Sequence, residues 1–132
     1  FDRVAMFDVL EHLPDTIKTM EEIWRICRNN ARVHIQVPYW NSFHSMWDPT
    51  HIKAFHQRTF DFFDPNTDVG QERSYYSTAK FGIVRKYYYV NFPPINGLRI
   101  IGRPIFKKIA DILSTYFCNI IHFIDVELSA IK

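Results

Sequence analysis

Apolar positions follow two rhythms along the first third of the chain. Val4-Ala5-Met6-Phe7 is a short continuous apolar run, the pattern of a strand covered on both faces, and Asp8 stands where the chain leaves the sheet. After Asp15, which is suited to cap a helix, Ile17, Met20, Ile23, Trp24 and Cys27 recur at helical spacing until Asn29-Asn30, predicting one amphipathic helix. Ala31, Val33, Ile35 and Val37 then alternate with Arg32, His34 and Gln36 before Pro38, which predicts a second strand. Strand, helix and strand in this order imply two parallel strands joined by a right-handed crossover.

Beyond Pro38 the rhythm breaks. Residues 39 to 57 hold aromatics, histidines and turn formers without a sustained period, predicting a long ordered loop, the kind of segment that carries function. A short helix is expected over Arg58 to Phe63, followed by a polar turn region from Asp64 to Glu72. Phe81 to Phe92 is rich in strand-forming residues and is cut off by Pro93-Pro94. Pro104 opens a helix in which Ile105, Phe106, Ile109, Ile112, Leu113, Tyr116 and Phe117 share a face opposite Lys107, Lys108, Asp111 and Ser114. The simplest expectation is that this apolar face packs on the sheet; the alternative is contact with a membrane surface, with Arg99 and Arg103 nearby. A last strand spans Ile120 to Ile131, with Ile120, Ile124, Val126, Leu128 and Ala130 at even spacing. The organisation is one domain: a strand-helix-strand unit over 1–38, a loop and short helix over 39–72, and a strand-helix-strand over 73–132.

Composition narrows the class. With 132 residues, 47% hydrophobic, the chain has enough material for one core. Sixteen Lys and Arg against fourteen Asp and Glu are interspersed, so no nucleic-acid footprint is expected. Cys27 and Cys118 belong to no ligand pattern, and both are expected as small core residues in a reducing compartment. The stretch from Ile112 to Ile124 is too short to span a bilayer, so the expectation is a soluble, cytoplasmic protein. Because Phe1-Asp2-Arg3-Val4 already has the character of a strand entrance, the chain is expected to be a piece of a longer protein.

Phe1-Asp2-Arg3-Val4 through Phe7-Asp8-Val9-Leu10-Glu11-His12-Leu13-Pro14-Asp15 resembles the second half of class I S-adenosylmethionine-dependent methyltransferases, most of all the type 11 family. In that family an FDxV strand entrance leads to LEHLxD, a helix, and a strand ending in Pro, as Val37-Pro38 does here. Asp48-Pro49-Thr50-His51, Phe55 and Arg58-Thr59-Phe60 are similar to its H-x-x-x-(F/Y)-T segment, and the pair Phe81–Phe92 and Ile120–Ile131 to its last two strands. The resemblance implies the carboxyl-terminal half of a Rossmann-like α/β fold: a mixed sheet made of the fourth to seventh strands with flanking helices. It implies S-adenosylmethionine as the cofactor of the full-length parent and a small-molecule or glycan-type acceptor. The glycine-rich loop after the first strand and the acidic residue after the second have no counterpart, since Gly70, Gly82, Gly97 and Gly102 sit in no GxGxxG context.

In such a sheet the ligand lies at the carboxyl ends of the strands. Phe7, Asp8 and Val9 are therefore expected at the cofactor, Glu11, Trp40 and His51 at the acceptor, and His12 as the base where the acceptor must lose a proton. The expected site holds no metal. The alternative is that Asp8, Glu11, His12 and His51 bind a divalent cation, as a Glu-x-x-Glu-His set does in some quinone and RNA 3′-end methyltransferases, with Asp8 in place of the first Glu. His44, His51 and His56, with Trp40, Phe43, Trp47 and Phe55, form a possible substrate cover. His34 and His122 fall in strands with structural roles, and Tyr87, Tyr88 and Tyr89 alternate across a strand. A reading from another class is a non-catalytic interaction module that binds a partner, or a second copy, through the open edge of the first strand.

Overall fold

A computed structural model describes residues 1–92, 95–100 and 104–132, and it is an α/β structure built on a five-stranded mixed sheet. Strand β1 (Arg3–Phe7) pairs in parallel with β2 (Arg32–Pro38), and the helix α1 (Thr16–Ile26) connects them. The sheet continues as β5 (Ile121–Ala130), antiparallel to β2, then β3 (Phe81–Phe92) and β4 (Ile95–Ile100). The last strand in the chain thus sits at the centre of the sheet, paired on both sides. β1 lies at an edge, with no further strand beside it among the described residues, and its apolar run is not covered on both faces as expected of a central strand: Val4 and Met6 are half-buried while Ala5 and Phe7 are exposed.

Local chemistry explains the elements that the sequence predicts well. Asp15 caps α1 by accepting from the Lys18 amide at 2.9 Å, and the helix presents Met20 and Ile23 inward. These residues and Cys27 join Val33, Ile35, Val126 and Leu128 in one core cluster. Burying a side chain of this size contributes roughly 1.5–3 kcal/mol. On the opposite face Arg3, Ala5, Arg32 and Arg85 are exposed, so the sheet is apolar on one side and polar on the other.

Several expectations are corrected. The sheet has five described strands rather than four, because Ile95–Ile100 returns antiparallel along β3 as β4; the expected break at Pro93-Pro94 lies outside the described residues, as do Gly102 and Arg103. The 39–57 loop contains a one-turn helix, α2 (Phe43–Met46), capped by Ser42. The polar turn region contains α3 (Asp68–Glu72), capped by Thr67, while Thr59–Phe63 is a 3-10 turn. Phe55 is core rather than cover, and Cys118 is exposed rather than buried.

The largest correction concerns α4 (Pro104–Tyr116): of its expected apolar face only Leu113 packs against the core, Ala110 and Ser114 are buried, and Ile105, Phe106, Ile109, Ile112, Tyr116 and the following Phe117 are exposed. Polar contacts fix that orientation. The Asn41 side chain donates to the Ser114 carbonyl at 2.7 Å, the Ser114 hydroxyl lies 3.3 Å from that of Tyr39, and Lys107 stands over the Tyr88 ring.

Two glycines separate packing from tolerance. A Cβ on Gly70 would lie 1.9 Å from the Asp64 carbonyl oxygen, whereas on Gly82 its nearest neighbour is the Ile131 side chain at 3.7 Å. Gly70→Ala is therefore expected to lower the free energy of unfolding in urea by about 1–3 kcal/mol. Gly82→Ala is expected to leave it unchanged or raise it by roughly 0.5 kcal/mol, as alanine loses less chain entropy in a strand.

Candidate functional site

The site begins where β1 ends. Asp8 makes the last ladder bond, its amide donating to the Gln36 carbonyl at 3.1 Å, and then turns the chain out of the sheet at φ 54. Asp tolerates this left-handed conformation better than most residues. The 3-10 turn Leu10–His12 follows, and Leu10 is fully buried in the core. Anchoring Leu10 carries Glu11 inward as well, to 1% exposure.

The 39–57 loop folds back over this turn. The amides of Ile52 and Lys53 both donate to the Glu11 carbonyl, at 3.0 and 3.2 Å. Just before them, Asp48-Pro49-Thr50 forms a tight turn in which the Thr50 amide and hydroxyl donate to the Asp48 carboxylate, at 2.9 and 2.6 Å. Those bonds, the hydroxyl's first, hold the Asp48 carboxyl below its usual range. The turn presents His51 to Glu11, with Nε2 at 3.8 Å from Oε1. His12 completes the group, its ring centroid 4.6 Å from that of His51. One ligating atom from each of Glu11, His12 and His51 lies within 4.8 Å of the others.

The hydrogen bonds determine which ring nitrogens are free. His51 Nδ1 faces the Ser45 carbonyl at 3.3 Å, and a carbonyl only accepts, so Nδ1 carries the hydrogen and Nε2 of the neutral ring carries the lone pair. His12 Nδ1 faces the Thr50 carbonyl at 3.3 Å and the Thr50 hydroxyl at 3.0 Å, whose own hydrogen goes to Asp48. His12 Nδ1 is therefore also the donor, which leaves Nε2 free. Neither carboxylate oxygen of Glu11 has a hydrogen-bond partner. Burial, and then the nearby Asp8, push the Glu11 carboxyl above its usual value, against its own backbone amide and the two imidazoles. A buried carboxylate with His12 alongside and His51 Nε2 3.8 Å away, that nitrogen being also 3.9 Å from the Asp48 carboxylate, calls for positive charge, supplied by a proton or a cation.

The sequence-predicted residues separate into groups. Glu11, His12 and His51 come together; Asp8 is exposed and outside that set. Phe7 and Val9 are exposed at the end of β1, and Trp40 is exposed next to Tyr39, their rings 6.2 Å apart. The aromatic cover does not form as one unit. His44 packs on Trp47, His122 and Phe123, while His56 is engaged near Tyr39 and burial lowers its proton affinity. His34 has the structural place expected of it, with Nε2 2.5 Å from the buried Asp125 carboxylate. Ser45, Asp48 and Thr50 position the site without having been singled out for it; the Asp-Pro-Thr turn before a histidine was the available signal.

An apolar cavity of about 240 Å³ is lined by Ile17, Lys53, Phe55, Phe62, Phe63 and Tyr76; Lys53, whose amide donates to the Glu11 carbonyl, connects it with the site, but no side chain of the Glu11 group lines it. A larger one of about 690 Å³ lies on the polar sheet face, among Arg3, Arg32, His34, Arg85, Tyr87 and Glu127, and no member of the Glu11 group lines it. Gly70 packs against Asp64, and Gly82 faces Ile131. No protein-family model matches the chain, and a search of curated proteins finds no match.

The raised Glu11 carboxyl has a consequence for stability. Where the native state holds a proton more tightly than the unfolded chain, stability falls as pH rises from the ordinary value of 4.5 through the raised native one. Thermal melts of Glu11→Gln and the unsubstituted protein should diverge across that window, with the variant gaining relative stability as pH increases. A difference independent of pH would mean that the carboxyl is not perturbed.

Proposed function

We propose that this chain forms the acceptor-activating part of an S-adenosylmethionine-dependent methyltransferase. The observation behind the reading is the Glu11 carboxylate, buried against two imidazoles at the carboxyl end of a parallel strand, where open α/β sheets hold their ligands. The resemblance of the Asp8-Val9-Leu10-Glu11-His12-Leu13 neighbourhood to class I methyltransferases supports the same reading, as does a last strand inserted antiparallel between β2 and β3.

The cofactor of such an enzyme supplies an electrophilic methyl group on a sulfonium. The described residues do not enclose it: Phe7 and Val9 offer an apolar lip and Asp8 a carboxylate. What this chain's residues do concerns the acceptor. His12 takes a proton through Nε2 from a hydroxyl or comparable group. The Thr50 oxygens hold its ring from the opposite side, and the resulting imidazolium faces the Glu11 carboxylate. His51 is a positioning residue: the Ser45 carbonyl holds its ring so that Nε2 stands 3.8 Å from Glu11, beside the His12 ring. The cavity walled by Phe55, Phe62, Phe63 and Tyr76 suits an acceptor with an apolar body.

The orphaned oxygens of Glu11 favour one second reading, in which the positive charge is a divalent cation. Two histidines and one carboxylate are a recurrent ligand set for Zn²⁺ and Fe²⁺. Donors about 2.1 Å from an ion lie at most about 4.2 Å apart, so the 3.8 Å between Glu11 and His51 fits and the group needs only slight contraction. The Nδ1 bonds of both histidines to backbone carbonyls are those that metal-bound imidazoles use to fix their orientation.

Two measurements test these readings. Calorimetric titration of S-adenosylhomocysteine into the 132-residue chain and into the full-length product of its reading frame should show binding to the latter; failure of both contradicts the methyltransferase reading. In that protein His12→Ala should lower turnover by about 10²–10⁴-fold on a proton-losing acceptor while leaving S-adenosylhomocysteine affinity unchanged. Separately, melts with added Mn²⁺ or Zn²⁺ distinguish proton from cation. The metal-free reading expects no rise in Tm; a rise that is abolished in Glu11→Gln establishes the cation.

A further inference from the structure

The face of the sheet opposite α1 carries a second concave region, built wholly on strands. Its cavity of about 690 Å³ is walled by residues of β1, β2, β5 and β3 and holds Arg3, Arg32 and Arg85 with His34, Tyr87 and Glu127. That volume is in the range of small-molecule sites. Arg3 and Arg32 are partners in the parallel register of β1 and β2, so two exposed arginines leave the sheet one strand spacing apart, about 4.8 Å. Like charges placed directly opposite one another repel. Glu127 is the counter-charge: it lies 3.6 Å from Arg32 and also faces Arg85, its register partner on β3. Arg3 has no ion pair among the described residues. The floor of the cavity is fixed in advance. Asp125, 2% exposed, binds His34 Nε2 at 2.5 Å, and the Phe7 ring stands edge-on to the His34 ring with centroids 4.9 Å apart. Arg85 donates to the hydroxyl of the buried Tyr87 at 3.1 Å.

We infer that this cavity binds a small phosphate monoester, with Arg3 and Arg32 clamping the phosphate. Guanidinium groups take phosphate oxygens two at a time, and a shared phosphate converts the repulsion between these two neighbours into attraction to a common partner. Charge selects the ligand. Three guanidiniums against Glu127 leave two positive charges in excess, and Asp125 is offset by His34 when the ring is protonated. A phosphate monoester carries about −1.5 to −2 near pH 7, which matches that excess, whereas a carboxylate carries a single charge. Protonated His34 also has Nδ1, the nitrogen not held by Asp125, as a further donor. No member of the Glu11 group lines the cavity, so the inference stands apart from the chemistry of that site.

Isothermal titration calorimetry with phenyl phosphate, and with benzoate as its singly charged counterpart, tests it on the 132-residue chain and on the full-length product of its reading frame. Both proteins should bind phenyl phosphate saturably, at least about tenfold more tightly than benzoate. Arg3→Gln should weaken binding at least about tenfold. Arg25→Gln removes the same charge from the exposed side of α1 and should leave binding unchanged. Both arginines face solvent, and thermal melts check that the variants fold. Absence of saturable binding, equal binding of benzoate, or an equal loss in the two variants overturns the proposal. Binding to the 132-residue chain alone also overturns it, since another part of the protein then fills the cavity.

Discussion

A carboxylate removed from water without a donor costs several kcal/mol, and Glu11 is held in that condition. Its backbone is what stabilises the place. Leu10 is anchored in the core, and the Glu11 carbonyl receives the Ile52 and Lys53 amides, so the turn after β1 and the returning loop fix each other. The side chain is carried along by this scaffold and meets two imidazoles, with its own backbone amide and the Asp8 carboxylate also nearby. Structural groups in protein interiors are normally satisfied, so a buried, unmatched carboxylate at the mouth of an α/β sheet points to chemistry rather than stability.

The same loop links the site to the outer surface. Residues 39 to 51 contain Tyr39 and Asn41, which hold α4, then α2, whose Ser45 carbonyl orients His51, then the Asp48-Thr50 turn that orients His12. A rigid segment with contacts at both ends gives the imidazoles defined directions without contributing much core of its own. Lys86 serves a similar end, bridging the Gln57 carbonyl and the Asp61 carboxylate so that the loop's exit is fixed to β3.

The sequence carried the first 38 residues almost completely, because the Asp15 cap, the helical spacing and the alternation around Val33 and Ile35 all point to the same elements. It carried the later parts less well. Ile95–Ile100, interrupted by Asn96 and Gly97, has neither alternation nor a strong strand composition, so β4 arises from pairing with β3. The periodicity of α4 identified its apolar stripe correctly, but periodicity does not say which side faces the sheet. Phe55 read as loop and became core because its backbone bridges to Tyr39. At the site, residue types and order named Glu11, His12 and His51. The burial of Glu11 was not legible, since glutamate is ordinarily exposed and its position depends on Leu10.

The central claim is that both imidazoles carry their hydrogen on Nδ1, which leaves the His51 Nε2 that stands 3.8 Å from Glu11 without one. Long-range nitrogen-15 correlation spectra of the neutral rings report the tautomers directly. His12 and His51 should each be protonated at Nδ1. A His51 protonated at Nε2 and donating to Glu11 would mean that the carboxylate already has its partner, and the account of the site would be wrong.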